Sequence, residues 1–251
     1  LKENILKKYN KLTPKHSIKL LGPEFALLDI KYHNLQGKIQ NRIGKIKNLL
    51  IIFSGGDLEG MTIKTLKAFI KYAVNKMKVE VIVSKNSPSF KEIIKITKPY
   101  KNIQIFNHQK SLIPFMTKAD YAIGGGGVNC LERCCLGLPS SVISLAENQN
   151  HVIETLSKKR IIRNLGDYKK IKDVDLESEI LFLLNLNMKN NLSNKCKKIV
   201  DGLGTKRVVD LILLDNNLSF NIRSSLIKDK HFLKNIDPSN IEFINKYETN
   251  L

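Results

Sequence analysis

The sequence has no tryptophan and little arginine: six of its 42 basic residues are arginine, the rest are lysine, and aromatic residues make up 7%. Proteins that read nucleic-acid sequence depend on arginine for paired contacts to guanine. The net charge of +19 would attract polyanions. However, the lysines are spread along the whole chain among asparagine and isoleucine. We therefore predict no nucleic-acid partner and interpret the charge as solvated surface.

The sequence also lacks a long apolar run. None approaches the ~20 residues that a membrane-spanning helix needs, so we predict no stable membrane insertion. The chain opens Leu1-Lys2-Glu3-Asn4, without an initiator methionine and without the apolar stretch of a secretory signal. We expect a cytoplasmic protein, and the opening is typical of a break inside a longer one.

Cysteine is sparse and unevenly placed. Three of the four cysteines crowd one segment, at Cys130, Cys134 and Cys135, and Cys196 lies apart. There is no Cys-x-x-Cys pair and no histidine pair at zinc spacing. A chain of 251 residues needs no disulfide staples. We expect reduced, partly buried thiols, no bound metal and no cofactor.

From about residue 47, short apolar runs alternate with segments of helical periodicity. The run at 48–54 is typical of a strand buried on both faces. Further strands are predicted at 79–83, 102–106, 120–123 and 141–145. Helices are predicted at 61–76, 89–98, 112–117, 129–136, 149–157, 176–186 and 203–214. This alternation predicts an α/β fold with a doubly wound parallel sheet.

Ligands of such sheets bind outside the carboxyl ends of the strands, where three loops have unusual residues. The first loop contains Gly55, Gly56 and Asp57. Two glycines let the backbone approach a ligand, and free N–H groups can cradle a phosphate. A tight turn without a ligand also explains the glycines, and Asp57 can equally cap the next helix.

The second loop contains four consecutive glycines, Gly124, Gly125, Gly126 and Gly127, between a predicted strand and a predicted helix. A purely structural turn rarely needs four glycines, because each costs backbone order. The helix that follows offers unpaired N–H donors and a partial positive charge. Together these features favour a diphosphate site.

Glu132 follows shortly after the start of that helix. A carboxylate can accept from two vicinal hydroxyls at once, which suits a ribose. The alternative is that Glu132 only complements the helix dipole. In the third loop, Asn148 and Gln149 suit sugar hydroxyls or acetamido groups, although Asn148 could instead cap a helix. His151 follows, and we assign it no catalytic role.

These segments closely resemble the UDP-2,4-diacetamido-2,4,6-trideoxy-β-L-altropyranose hydrolase family of pseudaminic acid biosynthesis. The resemblance spans about residues 18–214 and is most specific over the central run. The matching segments are Leu21-Gly22-Pro23-Glu24-Phe25-Ala26-Leu27-Leu28, Gly55-Gly56-Asp57 with Thr62, Ala122-Ile123-Gly124-Gly125-Gly126-Gly127, Glu132-Arg133-Cys134-Cys135-Leu136-Gly137-Leu138-Pro139-Ser140, Ala146-Glu147-Asn148-Gln149 and Asp201-Gly202-Leu203-Gly204-Thr205-Lys206-Arg207.

The family is similar to the glycosyltransferase that makes lipid II, with two Rossmann-like domains of the GT-B type and UDP held by the C-terminal one. The resemblance implies that the glycine loops contact the diphosphate, that Glu132 binds the uridine ribose, and that Asn148 and Gln149 face the sugar. The implied reaction is hydrolysis at the anomeric carbon, releasing UDP and the free deoxy sugar without a metal.

The sequence departs from the family in one respect. The family's proposed base is a histidine in a Gly-x-Gly-His element of the N-terminal domain, and this element is absent here; His16 and His33 lie in other contexts. The resemblance therefore divides the chain into a remnant of the N-terminal domain and linker at 1–40, a UDP-sugar-binding Rossmann-like domain at 41–214 and a polar tail at 215–251.

One domain without its partner cannot exclude water from the cleft between them. We therefore expect the chain alone to bind UDP weakly and to hydrolyse little of a UDP-sugar. A missing or separate N-terminal domain is the expected partner. Two further hypotheses stay open: a UDP-sugar glycosyltransferase of the lipid II type, and a non-catalytic nucleotide-sugar binding module that acts with a separate chain.

Overall fold

The structure is a computed structural model of the chain, and it describes residues 10–14, 17–53, 56–57, 59–189 and 191–214. Leu1–Val209 forms one compact unit. A second unit is Asp210–Leu251, of which the structure describes the end of the last helix. The predicted tail at 215–251 lies outside the described residues.

Six parallel strands form the central sheet, and two short strands pair antiparallel beside it. The strands are β1 Gly44–Lys45, β2 Asn48–Ile52, β3 Lys78–Ile82, β4 Ile103–Phe106, β5 Tyr121–Gly125, β6 Ser140–Ser144, β7 Arg163–Asp167 and β8 Asn187–Met188. The order in the six-stranded sheet is β4-β3-β2-β5-β6-β7, and β1 pairs with β8. The predicted doubly wound parallel sheet is confirmed.

Helices connect the strands and cover the sheet. They are α1 Ile30–Gln36, α2 Met61–Tyr72, α3 Phe90–Thr97, α4 Ile113–Lys118, α5 Val128–Cys135, α6 Glu147–Lys158, α7 Asp173–Asn185, α8 Asn191–Ile199 and α9 Gly204–Leu214. A short 3-10 turn, Pro23–Phe25, precedes α1. Among the described residues, no helix is long and apolar enough to cross a membrane.

Strand β2 shows why both faces of the sheet are covered. Its side chains alternate, so Leu49 and Ile51 enter one buried cluster and Leu50 and Ile52 enter the other. The first cluster includes side chains of α2 and α7. The second includes side chains of α1, α5, α6 and α8. Burial on both faces explains the continuous apolar run in the sequence.

Of the boundaries that differ from the sequence prediction, two bear on the site, because both move predicted loop residues into regular structure. Gly124 and Gly125 are the last residues of β5, paired with Val142 and Ile143 of β6, because the ladder of main-chain hydrogen bonds needs no side chains. Helix α6 begins at Glu147, two residues before the predicted start at Gln149, so Asn148 lies in its first turn together with Gln149 instead of in a loop. Polar residues suit a first turn, where N–H groups lack helical partners.

Candidate active site

The site is built at the point where the strand order reverses. The chain leaves β2 to add β3 and β4 on one side, and then returns to place β5, β6 and β7 on the other. Ile52 and Gly124 are register partners near the carboxyl ends of β2 and β5. Open α/β sheets bind ligands in the crevice at such a switch point. This topology brings the segments after β2, β5 and β6 to one edge of the sheet.

Packing accounts for three of the four glycines at the end of β5. A Cβ atom added at Gly124 would lie 2.1 Å from the backbone oxygen of Ile52, and one at Gly126 would lie 2.3 Å from Cδ1 of Ile153. A Cβ atom at Gly125 would lie 3.0 Å from Leu145. None of these glycines has a positive φ angle. Close approach of neighbouring segments, and not turn geometry, therefore excludes a side chain at Gly124 and leaves little room for one at Gly125 and Gly126.

Gly127 is different from the three glycines before it. The nearest neighbour of an added Cβ atom would be Nε2 of Gln149, at 3.7 Å, which is ordinary contact distance. Its φ angle of −73° suits any residue. Packing within the described residues therefore gives no reason for glycine at this position, and Gly127 lies at the N-cap of α5, where a ligand could approach the backbone.

The N-terminus of α5 is open at this edge. Its N-cap, Gly127, makes no side-chain capping hydrogen bond, and Val128 at the first position is 59% exposed. Helix α6 also begins without a side-chain cap, at Ala146. The first N–H groups of a helix have no helical partner, and the dipole adds a partial positive charge. The first turn of α6 lies beside the N-cap of α5, because Nε2 of Gln149 is 3.7 Å from the position of a Cβ atom added at Gly127.

Arg133 is buried beneath the end of β5, and the sequence does not predict a role for it. Its side chain has no exposed surface, and Nη2 donates to the backbone oxygen of Gly125 at 2.8 Å. A charged residue within a helix is normally expected at the surface. Within the sequence, the surrounding cysteines and Leu131 are the only sign of its buried surroundings.

Glu132 lies half-buried one residue before Arg133 and faces helix α1. The hydroxyl group of Tyr32 in α1 lies close enough to the Glu132 carboxylate to lower its pKa. Burial raises the pKa of Glu132, while the nearby Tyr32 hydroxyl and the positive charge of Arg133 oppose that rise. Oε2 is enclosed and has no hydrogen-bond partner among the described residues. Glu132 is the fifth residue of α5, beyond the first turn where a helix dipole acts strongly.

Asp57 caps helix α2. Its side chain is buried, and the carboxylate accepts from the N–H of Met61 at 3.1 Å and from the N–H of Thr62 at 3.1 Å. Of the two alternatives given by the sequence, the structure shows the cap. Gly56 is half-buried in the bend before Asp57, and Gly55 lies outside the described residues. The buried Asp57 carboxylate therefore fixes the segment after β2 to the beginning of α2.

Gln149 links the beginning of α6 to the glycine segment. Its Oε1 accepts from the N–H of Leu145 at 3.1 Å, and its Nε2 faces Gly127. Asn148 is exposed and does not cap α6, because the N-cap is Ala146 without a side-chain hydrogen bond. Both amides therefore lie at the carboxyl edge of the sheet with donors close to Gly127 or exposed to solvent.

The histidines and cysteines form no catalytic or metal centre in the described part of the chain. Nδ1 of His33 lies 2.8 Å from the backbone oxygen of Asp201, and His16 lies outside the described residues. His151 is half-buried in α6. All four cysteines are free and buried. No group of three or more His, Cys, Asp or Glu side chains among the described residues could hold a metal ion.

Comparison with solved structures defines the class of fold. Acinetobacter baumannii MurG matches with a TM-score of 0.53 at 15% identity, covering 80% of this chain and 57% of MurG. The structure of Staphylococcus aureus MnaA with UDP matches with a TM-score of 0.51 at 14% identity, covering 78% of this chain and 51% of MnaA. The domain is the Rossmann-like domain of a GT-B fold.

At the level of sequence, the chain is similar to the spore coat polysaccharide biosynthesis protein SpsG of Bacillus subtilis (strain 168). The two are 26% identical over 171 residues, which make up 66% of this chain and 50% of SpsG. No protein-family model matches the chain. The chain spans about half the length of the curated relatives that it matches.

Proposed function

We propose that the carboxyl edge of the sheet binds the UDP part of a nucleotide sugar. The observation that carries this proposal is that two helix N-termini without side-chain caps, those of α5 and α6, lie side by side at the carboxyl edge, and that of α5 follows the strand at the switch point. Both ends present N–H donors and partial positive charge to one crevice. The UDP bound to MnaA, a protein of similar fold, supports the choice of nucleotide.

Within this site, we assign the diphosphate to the main chain of the glycine segments, Gly55, Gly56 and Gly124–Gly127. Glu132 would accept from the ribose hydroxyls through its enclosed, unpartnered Oε2. Asn148 and Gln149 would donate to the sugar. Asp57 would act indirectly, by holding the segment after β2 in place.

For the reaction, we propose hydrolysis at the anomeric carbon of a UDP-2,4-diacetamido-2,4,6-trideoxy-β-L-altropyranose, releasing UDP and the free sugar. The resemblance of the glycine, Glu132 and Asn148-Gln149 segments supports it. Glycosyl transfer from a UDP-sugar is the second candidate, because the family that the sequence resembles is similar to the glycosyltransferase that makes lipid II. The relatedness to SpsG, a polysaccharide biosynthesis protein, is compatible with either reaction.

We propose further that catalysis needs a second domain on the other side of this crevice. The described domain places its open helix ends and amides on one edge, and the sequence contains no Gly-x-Gly-His element. The chain covers 50% of SpsG. A second domain that carries the Gly-x-Gly-His element would supply the base and exclude water. Alone, the chain would act as a nucleotide-sugar binding module.

Calorimetric titration of the chain with UDP tests the binding site. CMP, uridine and a short DNA duplex are the controls. We expect saturable binding that is selective for UDP over CMP and weaker for uridine, which lacks the diphosphate. A folded chain that binds no UDP, or that binds only DNA, would contradict the proposal.

The reaction is tested separately by following UDP release from the UDP-sugar, with the chain alone and with a domain carrying the Gly-x-Gly-His element. Release that needs only water indicates a hydrolase. Release that needs a second sugar or lipid acceptor indicates a glycosyltransferase. UDP binding without release under any of these conditions would support the non-catalytic binding module.

A further inference from the structure

Arg133 lies directly against the two glycines that end β5. Side chains of a helix point back toward its N-terminus, so a long side chain at position 133 reaches the beginning of α5. Nη2 donates to the backbone oxygen of Gly125 at 2.8 Å. Nη1 lies 2.9 Å from the position of a Cβ atom added at Gly124. The guanidinium group therefore lies beneath the glycine backbone, and it is this backbone that we propose binds the diphosphate.

The Glu132 carboxylate, one residue away, compensates the positive charge of Arg133 only in part, because it makes no direct hydrogen bond to the guanidinium group. The side chain has no exposed surface, and Nε and Nη1 have no hydrogen-bond partner among the described residues. Its acceptor at Gly125 is a neutral carbonyl group. A buried cation without a paired anion is costly. An anion bound on the outer side of the turn would offset this cost, because charges interact strongly across a low-dielectric interior.

We propose that Arg133 is a positioning residue for the diphosphate of the bound nucleotide. Without touching the ligand, it places a positive charge beneath the glycine segment and draws the Gly125 carbonyl oxygen inward, away from the phosphates. This inference rests on the proposed function, since it assigns to Arg133 the selectivity of the site for a diphosphate over an uncharged nucleoside.

A purely structural arginine would behave differently from a charge-supplying one. If Arg133 only filled space and bonded Gly125, its replacement would weaken UDP and uridine binding equally, through loss of local order. If it supplies charge, its replacement weakens UDP binding alone. The ratio of the two affinities therefore separates these roles, whereas stability alone does not.

The test compares Arg133→Gln, which keeps a hydrogen-bond donor and removes the charge, with Arg133→Lys, which keeps the charge. Lys101→Gln is the matched control, because it removes one positive charge from the opposite edge of the sheet, where Lys101 is exposed beside a cleft. Calorimetry measures the affinity of each folded variant for UDP and for uridine. Arg133→Gln should lose about tenfold or more in UDP affinity with uridine affinity unchanged. Arg133→Lys and Lys101→Gln should stay within about threefold of wild type for both ligands.

Several outcomes would overturn the inference. If folded Arg133→Gln binds UDP as tightly as wild type, the charge of Arg133 does not contribute to the site. The proposed function still stands in that case. Equal losses for UDP and uridine, or failure of both Arg133 variants to fold, assign Arg133 to the core. Absence of UDP binding by the wild-type chain overturns the proposed function and this inference together. If only Arg133→Gln fails to fold, Arg133→Lys decides: a preserved UDP-to-uridine ratio supports the inference, and a lost ratio contradicts it.

Discussion

The carboxylate of Asp57 accepts a hydrogen bond from the N–H of Met61, the first residue of helix α2, at 3.1 Å. The side chain is 1% exposed, and its burial raises the pKa of Asp57 to about 6, although hydrogen bonds from Thr62 and Met61 oppose the rise. A helix cap of this kind is therefore also a titrating group, with its charged form disfavoured by the surrounding core.

This relationship predicts how stability depends on pH. The folded chain binds the Asp57 proton more tightly than the unfolded chain, whose carboxyl has the ordinary pKa of 3.8. The contribution of Asp57 to the free energy of unfolding is therefore greatest below about pH 4, falls as pH rises to about 6, and is level above. Asp57→Asn keeps an acceptor and removes the titration. As pH rises from 4 to 7, the free energy of unfolding of Asp57→Asn should increase by up to about 3 kcal/mol relative to that of wild type.

Urea unfolding of both proteins at several pH values measures this difference. Asp29→Asn is the control, since Asp29 accepts from the N–H of Lys31 at an exposed helix cap. Parallel stability curves for wild type and Asp57→Asn would show that Asp57 titrates alike in the folded and unfolded chains.

The glycine segment predicts two opposite responses to alanine. Gly127→Ala fits ordinary contact distances, so the free energy of unfolding should change by less than about 0.5 kcal/mol. Its UDP affinity should fall, because the added methyl group lies where we place the diphosphate. Gly124→Ala would press against the backbone oxygen of Ile52 and should cost roughly 1–3 kcal/mol or more. Thermal unfolding and calorimetry measure both effects, and unchanged UDP affinity in Gly127→Ala would remove that residue from the site.

Much of the fold could be predicted from the sequence because the inner strands are buried on both faces and leave continuous apolar runs. Strand β7 was not predicted. It is the edge strand, and the residues of Arg163–Asp167 are exposed or half-buried, so its sequence shows no apolar run. Helix α8 was missed for a similar reason, since only Ser193 and Cys196 of Asn191–Ile199 are buried.

The candidate site was predicted in part. Glycines and amides after strands are visible in a sequence, and the topology brings them to one edge. Whether glycine serves packing or a ligand depends on neighbours such as Ile52 and Ile153, which the sequence places far away. The burial of Arg133 and the proximity of Tyr32 to Glu132 also depend on contacts between distant elements. The assignment of residues 1–40 to a remnant of another domain stays a prediction.

Arg42 should be essential for stability because its hydrogen bonds connect the segment before β1 to the C-terminal ends of two helices. Its buried guanidinium donates to the backbone oxygens of Met116 at 2.7 Å and Ala119 at 3.1 Å, at the end of α4, and to that of Leu136 at the end of α5. Lysine cannot reproduce this fork. Arg42→Lys should lower the free energy of unfolding by roughly 2–4 kcal/mol. Arg160→Lys, at an exposed position, is the control in urea unfolding, and equal stability of the two variants would contradict this role.

Glu132 provides the sharpest test of ribose recognition. Glu132→Ala should weaken UDP binding by roughly 1–3 kcal/mol, and the loss should be smaller for 2′-deoxy-UDP, which offers one hydroxyl fewer. Since burial raises the pKa of Glu132, wild-type UDP affinity should fall on acidification at a higher pH than an ordinary glutamate would give. Glu132→Gln should abolish that part of the pH dependence. Calorimetry between pH 5 and pH 8 measures both effects, with Glu154→Ala on the exposed side of α6 as the control. A folded Glu132→Ala that binds UDP like wild type would show that the carboxylate serves its contact with Tyr32 and not the ribose.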